Sequence, residues 1–218
     1  MFGQFGWHAL TLLLIAARWT VLLSALAFAL GGLAGFAVAL LRTAPSPVSR
    51  TLTAAYIEIV QGTPVLILLF VAYFGVALIG IDVPPLLAAS IALTIFSSAY
   101  LGEIWRGAID SIAQSQWEAS ESLGMTRWQQ LRHIILPQAF RISLPPTVGF
   151  LVQLIKNTSV TSLISLVELT REGQLIANAT FRPLPAFVAV ALIYFVLCFP
   201  LSRFSQSLES RLHVGRQS

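Results

Sequence analysis

Residues 20–41 run without a single charged side chain. A stretch of that length and character has one stable solution in a bilayer, a helix whose backbone groups are satisfied within the segment itself. Further apolar runs occur at residues 86–104, 144–166 and 185–204, and another, residues 52–79, is interrupted at Gly62-Thr63-Pro64. A proline at membrane depth frees a backbone carbonyl, which is tolerated only against protein or water. The chain therefore has room for about five spans of about 20 residues joined by short loops. Its composition agrees, with 56% hydrophobic residues, 10% charged residues and a mean hydropathy of +0.81. The expected fold is all-α and transmembrane, in one domain over residues 1–218.

Ahead of the first span, residues 6–17 read as a short amphipathic lead-in at the interface, with Trp7 and Trp19 near the headgroups. No basic residue precedes this run and hydrophobicity continues far beyond it, which argues against a cleaved signal peptide. Gly31, Gly32 and Gly35 fall close together in the first span, so another helix can approach its backbone there. The net charge of +4 comes from arginines scattered among loops rather than gathered in a patch, so it does not point to nucleic acid. Arg42, Arg50, Arg106, Arg127, Arg132, Arg141, Arg203, Arg211 and Arg216 fall on one side of the membrane, against Arg18, Arg171 and Arg182 on the other. The excess marks the first side as cytoplasmic, with the N-terminus outside and the C-terminus inside. Cys198 is the only cysteine and lies in an apolar run, so it reads as packing. His8, His133 and His213 lack the spacing of metal ligands.

The only long polar segment is residues 116–138. It reads as two short helices joined by a sharp bend. Ser115 is placed to cap the first helix, with Glu118 closing a capping box, and Gly124 to end it in a left-handed conformation. Thr126 is placed to cap the second, with Gln129 as its partner, and Pro137 to stop it near Ile135 or Leu136. Trp117, Leu123, Trp128, Leu131, Ile134 and Ile135 supply apolar faces. A compact capped hairpin between membrane spans is suited to being gripped by another protein.

The spacing Glu118-Ala119-Ser120, Gly124, Ile134, Leu136-Pro137 resembles the EAA loop of permease subunits of ATP-binding-cassette (ABC) importers, with Ser120 where a second alanine is usual. Flanking stretches narrow the resemblance to the polar amino acid permeases. They are Gln61-Gly62-Thr63-Pro64, Ala99-Tyr100 with Glu103-Ile104 and Arg106-Gly107, Leu136-Pro137-Gln138-Ala139, Lys156-Asn157-Thr158-Ser159, and Ala191-Leu192-Ile193-Tyr194. The match runs in order from Tyr56 to Leu212. It implies a type I importer permease in the bacterial cytoplasmic (inner) membrane, whose hairpin, at about residues 110–140, is a coupling helix seated in a cleft of a cytoplasmic ATPase. The resemblance also implies the partners: a dimeric ATP-binding subunit that uses ATP and Mg, a second permease, identical or related, and an external or periplasmic amino-acid-binding protein. No cofactor is expected in this chain. Two positions depart from the pattern, because family members often carry Arg where Gln61 stands and Asp where Asn157 stands.

A phosphate-binding loop needs glycines ahead of its lysine. The sole lysine, Lys156, follows Leu154-Ile155, so this chain is not expected to hydrolyse ATP. Lys156 lies inside a span beside Gln153, Asn157, Thr158, Ser159, Thr161 and Ser162. At helical spacing Gln153, Asn157 and Thr161 share a face, with Lys156 at its edge. Two readings stand side by side: a solute site in which Lys156 meets a carboxylate, or a polar run that packs the helix against its neighbours. Lys156 can also act as counter-ion to Glu103 or Glu58. Glu58, Gln61 and Thr63, at the break, are candidates for the same path, as is Glu103, although Glu103 and Arg106 are spaced as an intrahelical pair. An amide at Asn157 beside Lys156 favours acidic or neutral amino acids over lysine or arginine. Glu168 and Glu172 read as a solvated face of an external loop, residues 168–182. The competing functions are a permease for another class of solute, an intramembrane hydrolase, which lacks a Gly-x-Ser-x-Gly elbow and a base within reach, and a passive channel, which has no need of a docking element.

Overall fold

A computed structural model of the chain describes residues 6–214. Arg216 and the side chains of Arg211 and His213 lie outside the described residues. Every described regular element is helical: α1 (Trp7–Arg42), α2 (Pro47–Gly62), α3 (Val65–Phe70), α4 (Pro85–Asp110), α5 (Gln114–Ser122), α6 (Arg127–Gln130), α7 (Leu136–Asn157), α8 (Leu169–Thr180) and α9 (Pro183–Val214). Wide π turns follow α3 (Val71–Gly75) and α6 (Leu131–Ile135), and a 3-10 stretch, Thr158–Ile164, continues α7. Four helical stretches are long and apolar enough to cross a membrane, and the bent pair α2 and α3 makes a fifth if taken as one span.

The interfacial lead-in is not a separate helix. Neither glycine nor proline interrupts residues 7–30, so α1 runs unbroken for 36 residues and carries Trp19 and Arg18 as ordinary helical positions. Gly31 and Gly35 behave as expected, whereas a Cβ on Gly32 would stand 3.6 Å from its nearest neighbour, Trp105, and needs no close approach. A Cβ on Gly31 would lie 2.3 Å from Ser97 Cβ, and one on Gly35 would lie 2.9 Å from the Ser98 carbonyl oxygen. Backbone therefore meets backbone where α1 crosses α4, and dispersion contacts replace the hydrophobic drive that is absent between helices in lipid.

The break in the second span is real. Pro64 opens α3 with φ −56° and ψ 137°, and α3 leaves α2 at 100°. Thr63 Oγ1 donates to the Ile59 carbonyl at 2.7 Å, and the Pro64 carbonyl accepts from Ile67 N at 2.9 Å. Such local bonds let a bent backbone sit at membrane depth. Beyond it α3 packs on α4 and on the 3-10 stretch.

Of the four buried clusters among the described residues, three follow one another along the bundle. Leu13 and Ala17 of α1 meet Leu169, Ile176, Ala186 and Val190 of α8 and α9. The middle cluster joins Leu23 and Ala27 to Leu69, Leu93, Phe96, Phe150 and Leu154. Ala108, Ile109 and Ile112 then meet Ile135 and Ala139 at the base of the hairpin. Cys198 is buried with Val152 and Ile155, as its apolar setting implied.

Candidate functional site

The polar hairpin forms an elbow built from local hydrogen bonds. Gly124 adopts φ +71°, its N–H donates to the Glu121 carbonyl at 2.8 Å, and Met125 N–H donates to the Ser120 carbonyl at 3.2 Å. This is the paired closure that satisfies the last carbonyls of a helix. Thr126 caps α6 in a reciprocal box: its Oγ1 accepts from Gln129 N, and Gln129 Oε1 accepts from Thr126 N at 2.8 Å.

Two expectations about the hairpin fail. Ala113, not Ser115, is the N-cap of α5, and no side chain caps it. The helix begins two residues earlier than the cap reading allows, so Ser115 sits in the first turn and the box with Glu118 does not form. Pro137 does not stop the second helix either. The π turn ending at Ile135 bonds Leu136 N–H to the Leu131 carbonyl, and the widened turn accommodates the proline ring at the start of α7. Gln138 Nε2 supplies the Ile134 carbonyl with a donor at 2.8 Å. From Arg127 to Ile164 the path is one 38-residue helical rod, with Pro145 and Pro146 inside it.

The motif residues divide between two faces. Ser120 is 3% exposed, with its Oγ donating to the Trp117 carbonyl at 2.8 Å, so the small side chain does allow close packing. Ile134, Leu136, Trp117 and Leu131 pack on the cluster at the hairpin base, while Ile135 is fully buried within it. Glu118, Ala119, Gly124 and Pro137 are exposed. Leu123 is 79% exposed and Trp128 59%, apolar surface presented at the tip of a polar hairpin.

Arginines that the sequence scatters among loops converge on one cleft. Arg42, Arg50, Arg106 and Arg127 line a cavity of about 480 Å³ between the hairpin and the ends of α1, α2 and α4. Arg106 is held by Glu103, through Nε to Oε2 at 2.8 Å, and by Asp110. The Arg127 guanidinium lies 3.8 Å over the Trp117 ring.

The polar run of the fourth span is placed as follows. Gln153 and Lys156 are exposed, Asn157 and Ser159 are partly so, and Thr158 and Thr161 are fully buried. The helix tightens to 3-10 after Asn157, which turns Thr161 off the face predicted for it. The hydroxyls of Thr158, Ser159 and Thr161 donate to the carbonyls of Ile155, Lys156 and Thr158, each at 2.7 Å. Lys156 makes no ion pair among the described residues, because Glu103 is bound to Arg106 and Glu58 stands exposed on α2. Gln61 reaches the Ala99 carbonyl at 3.5 Å, so α2 is tied to α4 rather than to the polar run.

Glu168 is not solvated. It is fully buried and caps α8, its carboxylate accepting from Thr170 N at 3.0 Å and Arg171 N at 2.9 Å. Tyr194 OH on α9 and Thr20 Oγ1 on α1 complete the shell at 3.0 and 3.3 Å. Burial pushes the Glu168 carboxyl above the usual carboxylate range, and these bonds oppose that rise. One carboxylate thus pins α1, α8 and α9 together. The hint in the sequence is a glutamate directly before a helical run; its tertiary partners left no local trace.

This architecture is shared with known transporters. The chain is 37% identical to the probable amino-acid ABC transporter permease protein YckA of Bacillus subtilis (strain 168), over 88% of this chain and 85% of that protein. It is 35% identical to the glutamine transport system permease protein GlnP of Escherichia coli (strain K12), over 95% and 96%. Among solved structures, an amino acid ABC transporter with histidines superposes with a TM-score of 0.87 at 33% identity, covering 92% of this chain and 94% of that one. The inward-facing MetNI methionine ABC transporter shares the fold at 19% identity, with a TM-score of 0.76. Residues 31–214 match the binding-protein-dependent transport system inner membrane component family, and the chain belongs to that family.

Proposed function

We infer that this chain is the membrane permease subunit of an ABC importer for a polar amino acid. The observation that carries the reading is the elbow at Gly124 and Thr126, which holds Leu123 and Trp128 outward on a hairpin anchored by Ile134, Ile135 and Leu136. Exposed apolar anchors on a rigid polar element are what a partner's cleft can grip. Glu118, Ala119 and Gly124 face that partner, a dimeric cytoplasmic ATPase that uses ATP and Mg, while Ser120, Ile134 and Leu136 fix the hairpin to the bundle and the exposed Pro137 opens the rod of α7 behind it. This chain hydrolyses no ATP itself. The arginine-rich end is cytoplasmic and the N-terminus external, where an amino-acid-binding protein delivers solute. The relative named as a glutamine transport system permease supports the substrate class.

A second permease, identical or related, completes the path. Gln153, Lys156 and Asn157 lie on a surface that one protomer leaves open, so they line the path once a partner covers it. Ser159 and the buried Thr158 shape that face from within, and Glu58, Gln61 and Thr63 border it at the break. Glu103 is committed to Arg106 and contributes charge balance at the cytoplasmic end. The test is co-purification with an ATPase, followed by uptake into vesicles in competition with glutamate, glutamine, cystine and arginine, for the wild type and for Asn157→Asp. Absence of any ATPase in the purified complex refutes the importer reading. Arginine competing best in the wild type refutes the charge preference.

A further inference from the structure

We propose that the arginine cleft and an apolar groove beside it form one binding site for an anionic phospholipid. The groove holds about 540 Å³ between α1, α4 and α7, and is lined by Phe28, Ala29, Gly32, Phe36, Phe140 and Leu144, among others. Ile109 is common to the walls of the groove and of the arginine cleft. Along α1, the distance from Phe28 to Arg42 is about 21 Å. One leaflet of hydrocarbon is about 15 Å deep. The groove therefore spans one leaflet, and the cations stand where that leaflet's headgroups begin.

The charges are not balanced within the chain. Four guanidiniums line the cleft against the carboxylates of Asp110 and Glu121, and Asp110, with Glu103 from outside the cleft, is engaged by Arg106. Arg42, Arg50 and Arg127 have no ion pair among the described residues. Arg42 Nη1 reaches only the Arg50 carbonyl, at 3.4 Å, and its Nε is buried with no acceptor. Guanidiniums left in this state donate to phosphate oxygens through charge-assisted, often bidentate bonds. Basic pockets at the end of apolar helices suit phosphate headgroups. An acidic protein loop would satisfy the cations but would leave the apolar groove open, so a lipid fits both halves and a loop only one.

The test uses the purified permease–ATPase complex in nanodiscs of equal phosphatidylglycerol and phosphatidylcholine, with retained lipid counted by native mass spectrometry. Phosphatidylglycerol should be retained in preference, and each arginine removed should weaken its retention about fivefold. Arg42→Gln with Arg50→Gln should abolish the preference, while Arg42→Lys with Arg50→Lys should keep most of it. Ala29→Phe fills the groove with all arginines intact and should lower retention too. Soluble glycerol phosphate should not compete at concentrations where the lipid does. Equal retention of both lipids by the wild type overturns the proposal, as does full retention by Ala29→Phe or effective competition by glycerol phosphate, which would mean a headgroup-only anion site. Loss of the ATPase from the double glutamine variant with lipid preference unchanged would make the cleft a protein interface instead. Loss of permease pairing in Ala29→Phe with lipid preference unchanged would assign the groove to the second permease.

Discussion

Gly124 sits at φ +71° with nothing within 4 Å of where a Cβ would stand. A side chain there meets no neighbour, so the cost of substitution is conformational alone, about 1–2 kcal/mol for an L-residue held left-handed. That strain falls on α5, a nine-residue helix that is largely exposed and closed by the two bonds from Gly124 and Met125. Short exposed helices open at low free energy, so most of the strain appears as lost docking-competent hairpin rather than as global unfolding. The population able to engage the ATPase should fall by about five- to thirtyfold, and apparent affinity with it. Gly124→Ala belongs in that range and Gly124→Val at or beyond its upper end, since β-branching narrows the backbone further. Gly124→Asn should be nearly silent, because asparagine tolerates this conformation. The assay is solute uptake and uptake-linked ATP hydrolysis in vesicles carrying the complete complex, with membrane insertion and thermal stability measured in parallel. Wild-type uptake by Gly124→Val would refute the reasoning, and so would an Asn variant as impaired as the Val one.

At Glu168, the folded state raises the carboxyl pKa, so this group's contribution to stability is full below its unfolded value and is lost as pH rises through the folded one. The thermal stability of the wild type should therefore fall relative to Glu168→Gln as pH rises above the usual carboxylate range, whereas Glu168→Ala, which strips acceptors from Thr170 N, Arg171 N and Tyr194 OH, should cost about 3 kcal/mol at low pH and less as pH rises. Gly31→Ala should lower thermal stability by about 1–3 kcal/mol through the clash with Ser97, while Gly32→Ala, whose nearest neighbour would be 3.6 Å away, should be close to neutral. For orientation, a cysteine at Ser122 in a Cys198→Ser background should resist an impermeant thiol reagent while the inner membrane is intact, and one at Phe181, which is 91% exposed at the opposite end, should be labelled at once; the reverse pattern inverts the topology.

What the sequence determined by itself lies in features whose partners are near in the chain. Apolar runs specify helices because lipid offers the backbone no other acceptor. The Gly124 and Thr126 elbow was legible because its bonds join residues three to five apart. Glycines at 31 and 35 announced a close approach without naming Ser97 and Ser98 as what they meet. Tertiary structure decided the rest. Pro137 ends a free helix, yet a π turn lets this one continue, since packing of Ile135 and Ala139 on α4 rewards an unbroken rod. Glu168 looked solvated because hydrophobicity scales price an isolated carboxylate, whereas its partners on α1 and α9 are far away in sequence. The arginine cleft was invisible for the same reason: Arg42, Arg50, Arg106 and Arg127 belong to different helices, and only the packing of α1, α2 and α4 beneath the hairpin brings their charges into one field.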